Sequence, residues 1–347
     1  MKLNPARLSK KDLAPFLKGL AKDYDLYAPV RLTDGVSVLK KVEPSDEIDL
    51  GSNPQKGLKE VFFPQWEVMF QYEAVERRSR VASMEAVPRE RVVLGARPCD
   101  IQAISMLDDV FVGKEFTDTY YLQKRQKTTV IGLACHEPCS TCFCSSMGGG
   151  PFHREGSDLL LIDLGDAYLV EFLTEKGKAF RKNEFLKKAT AKEMALAKEI
   201  EGQASKKTNA SVPVGGIDKK LDQMLESPLW NRIHEKCIGC GACTLLCPTC
   251  HCFDIADEAL DKGGRRVRNW DSCLFPLYSL ETSGHNPRPS GRERTRQRLM
   301  HKFNYFPKNF KKIACVGCGR CILYCPVNFD IRHAIEMIQK EEGATAL

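Results

Sequence analysis

The chain has 347 residues, 43% of them hydrophobic, a formal net charge of +7 and 16 Cys. That length fits two or three domains, and no run of 18 apolar residues is present to form a membrane-spanning helix. The opening Met1-Lys2-Leu3-Asn4-Pro5 has no apolar stretch behind it, so a secretory leader is not expected, and the Cys are read as thiols of a cytoplasmic protein rather than as a disulfide framework.

In chain order, Ser9-Lys10-Lys11-Asp12 looks like a capping box opening a helix to about Lys22. The alternating segment Tyr27 to Lys41, with Asp34-Gly35 inside it, predicts a hairpin. Arg91-Val92-Val93-Leu94-Gly95 and Thr128-Thr129-Val130-Ile131-Gly132-Leu133-Ala134 read as buried strands. Each delivers a Cys at its C-terminal end, Cys99 and Cys135, where open α/β sheets place ligands. A second hairpin is expected from Asp158–Leu164 and Ala167–Leu173. Glu175 to Glu201 reads as one helix, Gly202 to Gly216 as a polar linker and Asp218 to Leu225 as a further helix. Ser227-Pro228 starts a short helix leading into Cys237, and a last helix is expected near Ile331 to Glu341. The whole reads as α+β: an N-terminal α/β domain (1–175), a helical linker (176–230) and a C-terminal domain (231–347). In the last the spacing C-x2-C-x2-C-x3-C-P occurs twice, from Cys237 and from Cys315, so that it reads as a ferredoxin-like 4Fe–4S dicluster domain, with the Cys loop of the first domain a further candidate for cluster binding.

The Cys fall in three groups: five from Cys99 to Cys144, seven from Cys237 to Cys273 and four from Cys315 to Cys325. Cys237, Cys240, Cys243 and Cys247-Pro248 have the spacing C-x2-C-x2-C-x3-C-P, and Cys315, Cys318, Cys321 and Cys325-Pro326 repeat it. This is the bacterial ferredoxin pattern, in which the fourth Cys of a run ligates the other run's cluster. Zinc sites use separated Cys pairs more often than four in a run. By ferredoxin logic Cys237, Cys240, Cys243 and Cys325 hold one 4Fe–4S cluster, and Cys315, Cys318, Cys321 and Cys247 the other. The long stretch between the runs also allows each run to keep its own fourth Cys.

Cys250, Cys252 and Cys273 remain, either as buried thiols or as three ligands of a further cluster. His251, an Asp or a partner would then supply the fourth. The basic stretch Arg288 to Lys312, with Glu293 alone among acids, reads first as a solvated face. It could also offset negative clusters, or meet an acidic partner. RNA is a third option, disfavoured because no RNA-binding motif accompanies it. In the N-terminal group, Cys135, Cys139, Cys142 and Cys144 could form a local zinc knot, or Cys99, Cys135, Cys142 and Cys144 a third 4Fe–4S site.

Gly95-Ala96-Arg97-Pro98-Cys99-Asp100, Cys142-Phe143-Cys144-Ser145-Ser146-Met147-Gly148, Cys247-Pro248-Thr249-Cys250-His251-Cys252, Trp270-Asp271-Ser272-Cys273 and Cys315-Val316-Gly317-Cys318-Gly319-Arg320-Cys321 together resemble one family. It is that of the iron–sulfur beta subunit of cytoplasmic NiFe sulfhydrogenases and the corresponding iron–sulfur subunit of anaerobic sulfite reductase. Leu26-Tyr27-Ala28-Pro29-Val30 and Ser227-Pro228-Leu229-Trp230 extend the likeness over almost the whole chain, except Lys176 to Gly216. The resemblance implies Cys99, Cys135, Cys142 and Cys144 as ligands of a third cluster, with Cys139 an extra thiol, and places Cys250, Cys252 and Cys273 in the family plan. It implies three 4Fe–4S clusters, with a fourth if the remaining thiols close on one.

It further implies a relay inside a hetero-oligomer. Electrons pass singly from a flavin/NAD(P)H-binding subunit to a catalytic partner, which would be a hydrogenase, a sulfite reductase or a heterodisulfide-reductase-like module. No G-x-G-x-x-G lies between strand and helix, and no catalytic triad or carboxylate pair can be argued from spacing. His136 and His251 adjoin cluster Cys without an evident catalytic role. The competing class is a self-contained iron–sulfur reductase with substrate at the N-terminal cluster.

Overall fold

The computed structural model describes residues 4–43, 45–75, 78–83, 89–208 and 211–341. The chain forms two compact units. One comprises Met1–Phe62, Ala86–Ala210 and Val316–Cys318, the other Phe63–Glu85, Ser211–Cys315 and Gly319–Leu347.

The first unit is built on an eight-stranded sheet. Its strands are β1 (Ala6–Ser9), β2 (Asp25–Arg31), β3 (Ser37–Lys41), β6 (Arg91–Ala96), β7 (Thr128–Leu133), β8 (Leu159–Asp163), β9 (Ala167–Phe172) and β10 (Lys187–Lys188), in the order β10-β1-β9-β8-β7-β6-β2-β3. The pairs β2–β6, β6–β7 and β7–β8 are parallel, and the outer pairs are antiparallel. Central parallel strands are covered on both faces, which is why β7 is apolar or small and buried throughout. Alternate residues of β8 serve opposite faces. Leu159 and Leu161 join Phe16, Leu17 and Leu20 of the helix Leu13–Asp23 in one core cluster. Leu160 and Ile162 join Ala197 and Ala204 of the helix Ala191–Lys207 in another.

In the second unit the strands β4 (Trp66–Val75), β5 (Arg78–Ser83), β11 (Phe253–Leu260) and β12 (Gly263–Trp270) form an antiparallel sheet in the order β11-β12-β4-β5. Inside it Arg268 is buried, its Nε donating to Glu67 Oε1 at 2.9 Å, with its guanidinium 5.0 Å from the Phe63 ring and 5.5 Å from the Phe253 ring. The helices Ile217–Asp222, Leu229–His234, Gly291–Met300 and Ile331–Lys340 belong to the same unit. Ile331, Ala334, Ile335 and Ile338 are buried at the i, i+3, i+4, i+7 spacing of a one-faced helix.

Several sequence expectations need correction. The first helix begins at Leu13 after a 3₁₀ turn Lys10–Asp12, and Ser9 makes no side-chain cap. The single helix expected over Glu175–Glu201 is broken into Glu175–Ala179, a 3₁₀ turn Phe180–Lys182 and strand β10. A new helix then starts at Ala191, because Thr190 and Glu193 form the capping box there. That helix runs to Lys207, into the stretch expected as linker. The boundary at 175 is not a unit boundary: β10 pairs with β1, and β4 is drawn into the second unit by pairing with β12.

Candidate metal centres

The N-terminal site lies in the first unit, at the C-terminal ends of the adjacent parallel strands β6 and β7. The helix Pro98–Phe111 opens with Pro at its first position, putting Cys99 in the first turn. Cys135 follows two residues after β7. Arg97 ties these ends to a neighbouring loop. Its buried guanidinium donates to the Ala134 carbonyl at 3.3 Å and to those of Leu50 and Ser52, each at 2.9 Å. Asn53 Nδ2 donates to Cys139 Sγ at 3.0 Å, and Cys135 Sγ lies 4.0 Å from Asn53 Oδ1. Burial raises the Cys135 thiol, against the nearby Arg97 charge. A hydrogen bond to Cys139, then burial and Cys99, raise Cys142. Burial and Cys135 raise Cys144.

All five thiols therefore share one neighbourhood. Cys139, expected as an extra, sits against Cys142 and Asn53. Asn53 belongs to no motif, and sequence reasoning had no signal for it. The site also reaches the second Cys run. Phe143 N donates to Gly317 O at 2.8 Å, and Cys142 Sγ is 3.5 Å from Cys318 O, all within the first unit. His136 stacks on Phe152 with ring centroids 5.6 Å apart.

In the second unit the helix Leu229–His234 hands over to Cys237, whose N–H donates to His234 O at 2.7 Å. Cys237, Cys240, Cys243, Cys321 and Cys325 line one cavity, with apolar walls including Leu274, Leu299 and Phe329. Cys247 is not on that wall. Its Sγ lies 3.3 Å from Lys302 Nζ and 3.2 Å from Thr249 Oγ1. The cavity thus brings Cys325, and Cys321 as well, beside the first run. Phe329 N donates to Cys325 Sγ at 3.1 Å, a contact suited to a thiolate.

Arg298 also lines this cavity. It is buried, its Nη2 donates to Cys243 O at 3.1 Å, and its Nε and Nη1 have no hydrogen-bond partner. A thiol-walled cavity with unpaired cationic N–H groups fits a negatively charged iron–sulfur cluster, whose sulfides accept hydrogen bonds. Among the described residues, no three His, Cys, Asp or Glu side chains converge as a single metal ion requires. Cys325→Ser is expected to remove the same electron paramagnetic resonance (EPR) signal as Cys237→Ser, and Cys247→Ser a different one. Loss of one common signal from Cys237→Ser and Cys247→Ser would exclude cross-ligation.

Of the three remaining thiols, Cys250 pairs with Cys247, and Cys252 pairs with Cys273. A hydrogen bond from Cys250, with help from Lys302 and Arg298, lowers Cys247 well below the usual thiol range despite burial, and raises Cys250. A hydrogen bond from Cys273 brings Cys252 down to about 6, against burial and assisted by Tyr278. His251 Nδ1 lies 3.2 Å from Thr249 O, and its ring meets His301 edge to face at 5.3 Å.

The basic stretch is not simply a solvated face. Ser290 and Glu293 cap the helix Gly291–Met300. Arg296 pairs with Glu226, Lys308 pairs with Asp222, and Arg294 donates to the Arg288 and Pro289 carbonyls. Arg298 and Lys302 point inward and are buried. Among the described residues no helix is long and apolar enough to cross a membrane.

Comparison with known proteins agrees with this geometry. Residues 236–329 match the family model of the 4Fe-4S dicluster domain. The chain is 35% identical over 260 residues to Sulfhydrogenase 2 subunit beta of Pyrococcus furiosus, covering 73% of this chain and 74% of that one. No solved structure matches.

Proposed function

The chain belongs to the family of sulfhydrogenase beta subunits, an iron–sulfur electron-transfer family, and from that premise we propose that it relays single electrons within a hetero-oligomer. The donor is a flavin/NAD(P)H-binding subunit, and the acceptor is a catalytic redox subunit of hydrogenase type. Three 4Fe–4S clusters carry the relay. When bound, such clusters take up and release one electron at a time.

The protein's own residues hold and insulate them. Cys237, Cys240, Cys243 and Cys325 wall one cavity, with Leu274, Leu299 and Phe329 keeping water from it. Cys315, Cys318, Cys321 and Cys247 hold the second cluster, and Cys99, Cys135, Cys142 and Cys144 the third. Arg97 and Asn53 fix the strand ends and thiols of that last site. The observation that carries the reading is the approach of Cys142 Sγ to Cys318 O at 3.5 Å. A thiol of the N-terminal group abuts a residue of the second ferredoxin run, as a relay with adjoining stations requires.

The test is electron delivery. Reconstituted chain added to its flavin and catalytic partners is expected to restore NAD(P)H-dependent turnover that the partners lack without it. The chain alone, reduced chemically, should hold electrons without turning over sulfite or polysulfide. Turnover of either by the isolated chain would instead make it a self-contained reductase.

A further inference from the structure

Lys302 lies in a π-helical turn, His301–Tyr305, that continues the helix Gly291–Met300. Such turns recur at functional sites, because they re-aim a side chain. Its side chain is about 2% exposed. Its Nζ donates to Thr249 Oγ1 and to Ala314 O, each at 2.9 Å, and lies 3.3 Å from Cys247 Sγ. Among the described residues it forms no ion pair with a carboxylate. The sulfur groups that face it are those of Cys247, Cys250 and Cys315, Cys247 being the one in contact, and the like charge nearby is Arg298. Arg298, four residues earlier, is faced by Cys243, Cys321, Cys250 and Cys247.

A buried ammonium needs a counter-charge, because taking an ion out of water is costly unless it is paired. Here every opposite charge available to Lys302 is a cysteine. A hydrogen bond to a ligand sulfur and a nearby positive charge both favour the reduced, more negative state of an iron–sulfur centre. We infer that Lys302 sets the potential of the cluster that Cys247 helps to hold, raising it selectively through the N–H···S contact. Lys302 is a positioning residue for charge rather than a ligand. Arg298, one turn earlier, lines the other cavity and donates to Cys243 O rather than to Cys247 Sγ.

The inference rests on the ligand role proposed above for Cys247. It is tested on the full chain, reconstituted with iron and sulfide, by EPR-monitored redox titration. In Lys302→Met one cluster is expected to shift. At that cluster's original midpoint, its ratio of reduced to oxidised should fall about tenfold, which is about 59 mV for a one-electron couple. The other clusters should stay within a factor of about two, and Lys302→Arg should restore most of the shift. An unmoved midpoint in a Lys302→Met chain that keeps its iron and sulfide overturns the proposal, as does an equal shift of every cluster. If Lys302→Met loses iron, Lys302→Gln, which keeps a donor without the charge, is titrated instead. Loss of the same cluster from all three variants overturns the proposal too and makes Lys302 a folding residue. None of these readouts needs a partner protein, so failure of the relay reading would leave the potential shift standing.

Discussion

Gly317→Ala is expected to disable the N-terminal site. Gly317 has φ of +63°, and a Cβ there would lie 2.5 Å from both the carbonyl carbon and oxygen of Phe143 and 2.6 Å from Cys144 N. All three are backbone atoms of the Cys142–Cys144 segment, which cannot swing aside as a side-chain tip would. The left-handed backbone costs a non-glycine residue roughly 1–2 kcal/mol, and overpacking adds about 1–3 kcal/mol. The Phe143–Gly317 hydrogen bond would be lost and Cys142 pushed away from Cys318. The expected result is loss of one cluster's EPR signal and a first unit destabilised by about 3 kcal/mol. Gly148→Ala is the control: φ there is +73°, yet nothing lies within 4 Å of the added carbon. That variant should cost only about 1 kcal/mol and keep every signal. Equal behaviour of the two variants would show that the close approach does not matter.

Arg268→Met carries the second large effect, on stability. Arg268 is about 2% exposed, and its Nη2 as well as its Nε contacts Glu67. Removing one partner of a buried pair costs about 3–5 kcal/mol, because the other charge stays buried. The Phe63 and Phe253 rings also lose the cation stacked on them. The unfolding free energy of the second unit, followed by denaturant titration, should fall by that amount. The double variant Arg268→Met/Glu67→Met should recover most of it, since an apolar pair of similar volume is often neutral. A single-variant loss below about 1 kcal/mol would mean that water reaches the pair.

Much of the first unit was legible in the sequence. Strands β6 and β7 are continuous apolar runs, and each ends next to a Cys, so both fold and site could be read from one pattern. The ferredoxin spacing made the dicluster legible because three thiols at two-residue gaps admit few other uses. The second sheet was not legible. In β11, Phe253-Asp254-Ile255-Ala256-Asp257-Glu258-Ala259-Leu260, acids interrupt the apolar residues, and most of the strand is exposed at the sheet edge. Its hairpin with β12 turns at Asp261-Lys262-Gly263, a signal that the neighbouring Cys motifs overshadowed. The basic stretch left more than one reading open for a physical reason. Charge composition cannot tell which of nine cations turns inward, and that choice is made by the helix phase and the π-helical turn that bring Arg298 and Lys302 toward the thiols.

The pairing of β4 with β12 also has a consequence for synthesis. β5 ends at Ser83, and β12 begins at Gly263, about 180 residues later. At ribosomal rates the first hairpin waits roughly 10–40 s for its neighbour. A lone two-stranded hairpin is marginal in water and leaves both its edges open. The return of Val316–Cys318 to the first unit comes later still. Neither unit is a continuous piece of chain, so no single cut yields either one whole. The nascent chain must avoid mispairing, with one sheet unfinished until β12 is made and the first unit incomplete until residues 316–318 follow.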